Sequence, residues 1–304
     1  MAPTSRAAVV EVEADGRRLQ LSNLDKVLYP QTDFTKGDLL DYYRRVAPVL
    51  LPWLAGRPVT FRRFPEGVDG FSFYEKHLPR GAPSWVRTVL VPRRPPRADD
   101  PAPAIDSLPA LMWAANLAVI EFHVPMWRVD AAGAPERPDL LVFDLDPGAP
   151  AGLGECATVA LALRERLRAD GYAPLPKTSG SKGLQLYVPR PVERRDEQPS
   201  AYARALAEEL AAARDSGVVA TMRKDRRAGK VLIDWSQNSP AKTTVAPYSL
   251  RARPRPGVST PLSWEEVADL AEGDDPGLLA LGPDDVLARL AARGDLFSPL
   301  LAPT

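Results

Sequence analysis

DLLVFDLDP, residues 139–147, is the stretch on which the fold of this chain turns. Four apolar residues, 140–143, run directly into Asp144-Leu145-Asp146-Pro147. A short continuous apolar run of this kind is what a strand buried on both faces looks like. Side chains alternate along a strand, so Asp144 and Asp146 point the same way, with Cα atoms roughly 7 Å apart. Two carboxylates that close repel unless something positive lies between them, and one or two divalent cations would remove the penalty. Two-metal phosphoryl-transfer sites hold ions about 4 Å apart against the attacking and leaving oxygens. Two solvated aspartates at a strand end are the competing reading of the same residues.

Outward from this strand lie two further motifs. In KVLIDWSQN, residues 230–238, Asp234 follows three apolar residues and precedes Trp235. A carboxylate in such a strand needs a partner: either a metal shared with Asp144 and Asp146, or one of the neighbouring arginines. PKTSGSKGLQLYVP, residues 176–189, supplies a small-residue loop with free N–H groups and the charge of Lys182, which suits a triphosphate. It is not a Walker A loop, because Lys182 is followed by Gly183 and a strand. An ordinary Ser/Gly turn is the alternative. Arg62-Arg63 and Phe73-Tyr74 place cations and aromatics on adjacent predicted strands, as a base-stacking platform or as core. Lys26 and Lys36 flank a turn and, taken alone, are solvated surface lysines.

Composition narrows the chemistry. Of 304 residues, 45% are hydrophobic and 26% charged, ordinary for a globular protein. No apolar run approaches the ~20 residues of a membrane span, and acids interrupt the N-terminus, so a cytoplasmic protein without a membrane partner is expected. One cysteine, Cys156, and two histidines, His77 and His123, exclude a disulfide framework and a thiolate or histidine-rich metal site. Any metal must be held mainly by oxygen, which points to Mg²⁺ or Mn²⁺. The formal net charge is zero, but between Met222 and Gly257 nine basic residues face two acids, and from Val258 onward nine acids face two arginines. Local fields rather than the sum steer a polyanion.

Element signals alternate between helix and strand, predicting an α+β or α/β sheet domain. Thr35 with Asp38 predicts a capped helix carrying Leu39, Tyr43, Val46 and Leu50 on one face, ended by Gly56-Arg57-Pro58. Strands are expected at 59–63, 70–75, 119–124, 183–188 and 230–235, and helices at 108–117, 155–169, 202–212, 263–272 and 283–293. Residues 1–34 read as a short strand and loop, and 90–104 as an exposed loop. No repeat or clear linker appears. A single unit, 1–304, is expected: two lobes sharing one site, a core to about 290, and an acidic helical tail from about 258.

Together the motifs resemble the polymerase domain of bacterial ATP-dependent DNA ligase D, in the archaeo-eukaryotic primase superfamily. The resemblance runs from about Leu21 to Leu290 and rests on LSNLDKVLYP, FTKGDLLDYY, AGRPVTFRRFPEGVDGFSFYEKHL, EFHVPMWR, LVFDLDPG, KTSGSKGL, RAGKVLIDWSQNS and KTTVAPYSLR. It implies two interlocked modules, one an RRM-like sheet bearing the catalytic acids. By motif, Asp144, Asp146 and Asp234 would bind two ions, Mn²⁺ or Mg²⁺. Ser179, Lys182 and Arg251 would hold the triphosphate, His123 would lie beside the nucleotide, and Arg227 and Gln237 match further active-site positions. Asn23, Lys26 and Lys36 match a pocket for the 5′-phosphate of gapped or broken DNA, and Arg62, Arg63, Phe73 and Tyr74 a template-contacting patch. The resemblance also implies use of nucleoside triphosphates with a preference for ribonucleotides, a bacterial nucleoid setting, and Ku and an ATP-dependent DNA ligase as partners. Two positions depart from the family pattern. Arg62 stands where lysine is common, and Gln185 stands where a histidine contacts the phosphates. Glutamine carries neither proton nor charge, so weaker triphosphate binding or slower catalysis is expected.

The expected activity is template-directed nucleotidyl transfer that fills gaps or extends ends during double-strand-break repair by non-homologous end joining. The alternative, suggested by Gln185, is a weak or inactive module that binds 5′-phosphorylated ends. A phosphatase of the DxD kind is disfavoured by Pro147. No ligase or nuclease segment is visible, which fits a stand-alone relative or a fragment.

Overall fold

The computed structural model describes residues 9–91, 101–191, 198–213 and 216–301. The 140–143 run begins the strand Leu140–Pro147, the middle strand of a five-stranded sheet. The order across this sheet is Leu175–Thr178, Leu184–Pro189, Leu140–Pro147, Val231–Asp234, Val218–Val219. Every pairing is antiparallel except the last. That makes the fold α+β.

The middle strand is apolar on both faces because both are buried, in different places. Leu141, Phe143 and Leu145 enter a core formed with Cys156, Val159, Leu163 and Leu167 of the helix Leu153–Ala169, Leu206 of Pro199–Ala212, and Val267 and Leu270 of Trp264–Glu272. Leu140 and Val142 enter the other core, with Trp53, Tyr187 and Phe297. Burying a side chain such as Phe143 contributes about 1.5–3 kcal/mol. Asp144 and Asp146 continue the Leu140–Val142 face past the edge of that core, so packing aims them out of the sheet.

The second sheet has four antiparallel strands in the order Thr244–Val245, Val119–Val124, Thr60–Arg63, Phe73–Glu75. The helix Lys36–Leu54 covers it with its predicted face: Leu39, Tyr43, Val46 and Leu50 are fully buried. Its capping box is present, with Asp38 N–H donating to Thr35 Oγ1 at 3.2 Å and Thr35 N–H to Asp38 Oδ2 at 2.7 Å. The first residue of the opening motif ties the sheets together. Asp139 accepts two bonds from the buried Arg57, at 2.8 and 2.6 Å, and one from Arg128 at 2.9 Å. Burial would raise the Asp139 carboxyl; the two guanidiniums override that and hold it below its ordinary value.

Two sequence expectations need correction. Residues 1–34 hold more than one strand: Val9–Ala14 and Arg17–Ser22 form a hairpin turned by Asp15-Gly16, both at positive φ. Within 90–104, residues 92–100 lie outside the described set, but Pro101–Pro103 is a strand paired with Thr88–Leu90. Ala102 and Ala104 are buried against Trp127 and Val129, so small apolar residues outweigh the proline-rich loop signal there. The acidic C-terminal segment packs onto the molecule, with Val267 in one core and Val286 and Phe297 in the other.

Candidate active site

Asp144 pairs in register with Asp234 on one side and Gln185 on the other, and Gln185 pairs with Lys177. Directly opposed residues in antiparallel strands share a face. The sheet therefore presents a cross-strand row: Lys177, Gln185, Asp144, Asp234, with Asp146 two residues beyond Asp144. Carboxylate oxygens of Asp144, Asp146 and Asp234 all lie within 4.8 Å of one another.

Burial and this concentration of negative charge perturb Asp144 and Asp146. Burial, then the nearby Asp146 carboxylate, pushes Asp144 up to about 7, against the hydrogen bond from Gln185. Burial and Asp234 likewise raise Asp146, while Arg227 and Arg251 oppose the rise. Asp234 Oδ1 accepts from the Ser236 N–H at 3.0 Å and hydroxyl at 2.6 Å, and Oδ2 accepts from Gln237 Nε2 at 3.1 Å. Among the described residues its hydrogen-bond partners are thus neutral donors rather than an arginine. An all-oxygen, triply acidic set fits a hard divalent cation.

Asp144 opens onto a cleft of about 400 Å³ whose lining includes Tyr74, Lys76, His123, Gln237, Lys242 and Arg251. Glu121, 1% exposed, organises its far wall. It bonds His123 Nε2 at 2.8 Å, accepts from Arg62 at 3.0 Å and from the Ala252 N–H at 3.0 Å, and lies 3.6 Å from Arg251 Nε. Burial would raise Glu121, but His123, Arg251 and Arg62 bring it down to about 2. Burial pushes His123 below its ordinary value, so it is a neutral ring near pH 7.

The phosphate-loop candidates divide. Ser179 is buried, and its hydroxyl accepts the N–H groups of Ser181 and Gly183 at 3.2 Å. Lys182 is exposed at the loop tip. Gly183 is pressed onto the acidic strand so closely that a Cβ there would lie 2.0 Å from the Leu145 carbonyl oxygen. Arg227 donates to the Met222 carbonyl at 2.8 Å and lies near enough to Asp146 to lower its pKa.

The platform residues split across their sheet. Arg62 pairs with Tyr74 and Glu121 on the cleft face, its guanidinium over the Tyr74 ring at 5.4 Å. Arg63 pairs with Phe73 on the other face, bonded to Glu75 at 2.9 Å, and Phe73 stacks on the exposed Phe71. Tyr74 is exposed and meets His123 edge-on at 5.6 Å.

Asn23, Lys26 and Lys36 do come together. Lys36 opens its helix, its N–H bonded to the Lys26 carbonyl and its Nζ to the Ser22 carbonyl at 2.6 Å. Lys26 N–H bonds the Asn23 carbonyl, and Lys26 Nζ meets Glu66 at 2.8 Å. Lys36 is not the surface lysine its local sequence suggests: it is 4% exposed, and burial, then Lys26, lowers it to about 8. A helix N-terminus beside two lysines is a ready anion site.

Sequence reasoning missed Glu121, Lys76, Thr244 and Lys177. Glu121 was within reach, since it stands two residues before His123 in a strand and so shares its face. Lys177, fully buried and bonded to Ser259 and to the Thr178 carbonyl, depends on register that one strand does not reveal.

Three converging carboxylates on two antiparallel neighbours of a mixed sheet, beside a basic cleft, define a class: the metal-dependent nucleotidyltransferases. The model of the LigD primase-polymerase domain matches residues 35–297. The chain belongs to that family. It is 45% identical over 294 residues to the multifunctional non-homologous end joining DNA repair protein LigD of Mycobacterium tuberculosis, covering 94% of this chain and 37% of that protein. With the bifunctional non-homologous end joining protein LigD of Bacillus subtilis it shares 30% identity over 281 residues, 92% of this chain and 44% of the other. The chain thus spans well under half the length of these relatives. Among solved structures, the polymerase domain of Mycobacterium tuberculosis ligase D in complex with DNA matches with a TM-score of 0.85 and 44% identity, covering 93% of this chain and 98% of that one. The expected two-module α+β architecture is the observed one.

Proposed function

We propose that this chain is a template-directed DNA/RNA primase-polymerase that fills short gaps or extends broken ends in non-homologous end joining, preferring ribonucleotides. The observation that carries the reading is the convergence of Asp144, Asp146 and Asp234 within 4.8 Å, with Asp144 lining a cleft that also holds Arg251, Lys242 and His123. The three carboxylates would hold two cations, Mn²⁺ or Mg²⁺. Such ions, when bound, neutralise charge at the attacking and leaving oxygens of an in-line displacement. Arg251, Lys182 and the Ser179 loop bind the triphosphate, with Arg227 and Gln237 at its margin, and neutral His123 is held by Glu121 beside the nucleotide. The primer 3′-hydroxyl gives up its proton to solvent and attacks the α-phosphorus, the new phosphodiester forms, the bond to the bridging oxygen breaks and pyrophosphate departs. Arg62 and Tyr74 contact the template from the cleft side, Arg63 and Phe73 from the opposite face. Lys26, Lys36 and Asn23 take the 5′-phosphate of the gap. Ku and an ATP-dependent ligase are the partners this role implies, in a cytoplasmic, nucleoid-associated setting.

Primer extension on 5′-phosphorylated gapped DNA with Mn²⁺ and ribonucleotides tests the reading. Wild type should extend, and Asp144→Ala with Asp146→Ala should not. Extension that survives both substitutions overturns the assignment. Tight binding to the gap with no incorporation under either metal would favour a non-catalytic end-binding module, the reading that Gln185 motivates.

A further inference from the structure

Gln185 is 3% exposed and lines the cleft beside Asp144. Its Nε2 donates to Asp144 Oδ1 at 3.0 Å. The amide nitrogen is therefore the end of the side chain that meets the carboxylate. The carbonyl oxygen Oε1 is left buried, with no partner among the described residues. The nearby amine of Lys177 does not serve it, being bonded to Ser259 and to the Thr178 carbonyl. A second buried oxygen, Thr244 Oγ1, also lacks a partner among the described residues and lines the same cleft. A buried acceptor left unsatisfied costs about 1–3 kcal/mol, so each such group calls for a ligand donor or an ordered water.

The triphosphate cannot supply that donor. Phosphate oxygens are acceptors, and set against Oε1 they would repel it. The donors of a nucleotide are its sugar hydroxyls and its base N–H groups. The sugar is attached to the α-phosphate, and the α-phosphate belongs at the carboxylates, one cross-strand position from Gln185.

We propose that Gln185 Oε1 accepts a hydrogen bond from a ribose hydroxyl of the incoming nucleotide, making Gln185 a sugar-specificity residue rather than a phosphate ligand. This rests on the nucleotidyltransferase reading and departs from the expectation that position 185 reaches the phosphates. Both amide ends are then used, one steadying Asp144 and the other reading the sugar.

The test is equilibrium binding of ATP, 2′-deoxy-ATP, 3′-deoxy-ATP, UTP and inorganic tripolyphosphate, each with Mg²⁺, to the full chain on gapped DNA. Wild type is compared with Gln185→Met, which keeps the volume, and Gln185→His, which keeps an N–H donor for Asp144. In the Met variant, ATP and UTP should each weaken roughly five- to tenfold. The deoxy analogue lacking the recognised hydroxyl should be little changed, which identifies that hydroxyl, and tripolyphosphate should not change. The His variant should lose the same sugar discrimination while binding tripolyphosphate more tightly, and it carries the comparison should the Met variant fail to fold. Equal weakening of all five probes, an effect on one base only, or no effect on any probe overturns the proposal. A wild type that binds no nucleotide sinks the parent reading as well, whereas intact binding with an unaltered sugar ratio in the variants sinks this inference alone.

Discussion

Asp144 stands between opposing demands: it must be ionised to hold a cation, yet burial and Asp146 favour its protonated form and raise it to about 7. A carboxyl raised above its unfolded value near 4 contributes stability below that value, and loses it as pH rises through about 7. Metal-free protein should therefore be less stable at about pH 8 than at about pH 5.5 on account of this group, and added Mn²⁺ should recover more at the higher pH. Asp144→Asn, which removes the charge and keeps the shape, is expected to raise the metal-free melting temperature and abolish the metal-induced increase; thermal melts with and without Mn²⁺ at both pH values check it. The position of Asp144 was legible in the sequence because strand alternation needs no tertiary knowledge. The rest of its perturbation was not: Asp146 stands two residues away, but the burial of Asp144 and the approach of Asp234 come only through pairing with other strands. Lys36 shows the same limit: its neighbours in sequence say surface, while the Ser22 carbonyl that buries its amine belongs to a hairpin.

Among elements, Val119–Val124 and Lys36–Leu54 form where their patterns predict, since alternation, a capping box and an apolar stripe are local signals. Pro101–Pro103 does not follow its local composition, because its pairing with Thr88–Leu90 and burial under Trp127 are supplied from elsewhere. The loop at 179–183 is the element most tightly tied to the site. Its Gly183 touches the carbonyl between the two acidic side chains, so Gly183→Ala should force the loop off the strand. A cost of about 2–3 kcal/mol in urea unfolding is expected, with loss of nucleotide binding. Gly154→Ala, whose Cβ would meet only the Leu270 carbonyl oxygen at 3.5 Å, should be neutral or stabilising by up to about 1 kcal/mol.

Over the whole molecule, a net charge of zero conceals how charge is distributed. The basic 222–257 segment supplies Arg227, Lys242 and Arg251 around the acids, while the acidic residues after Val258 are partly engaged internally, as Glu266 is with Arg289 at 2.6 and 2.8 Å. Binding to gapped DNA should therefore be strongly salt-dependent despite neutrality, weakening more than about tenfold between 50 and 200 mM salt. Preference for a 5′-phosphate over a 5′-hydroxyl should fall as pH rises through about 8, where Lys36 loses its proton. A bound phosphate would move that loss upward without changing its sign. Fluorescence anisotropy across salt and pH checks both; a preference still flat above about pH 10 would remove Lys36 from the phosphate site.

Leu140–Pro147 is a partition between two interiors, with Val142 facing one and Phe143 the other, and Asp144 and Asp146 are its continuation. Loosening of either interior is expected to displace that partition, and with it the spacing of Asp144 and Asp146 from Asp234. On the proposed metal site, cation affinity would gauge the integrity of both halves at once. A remote cavity cut at Leu163 or at Tyr43 would register at the same three carboxylates, although neither side chain lines the cleft.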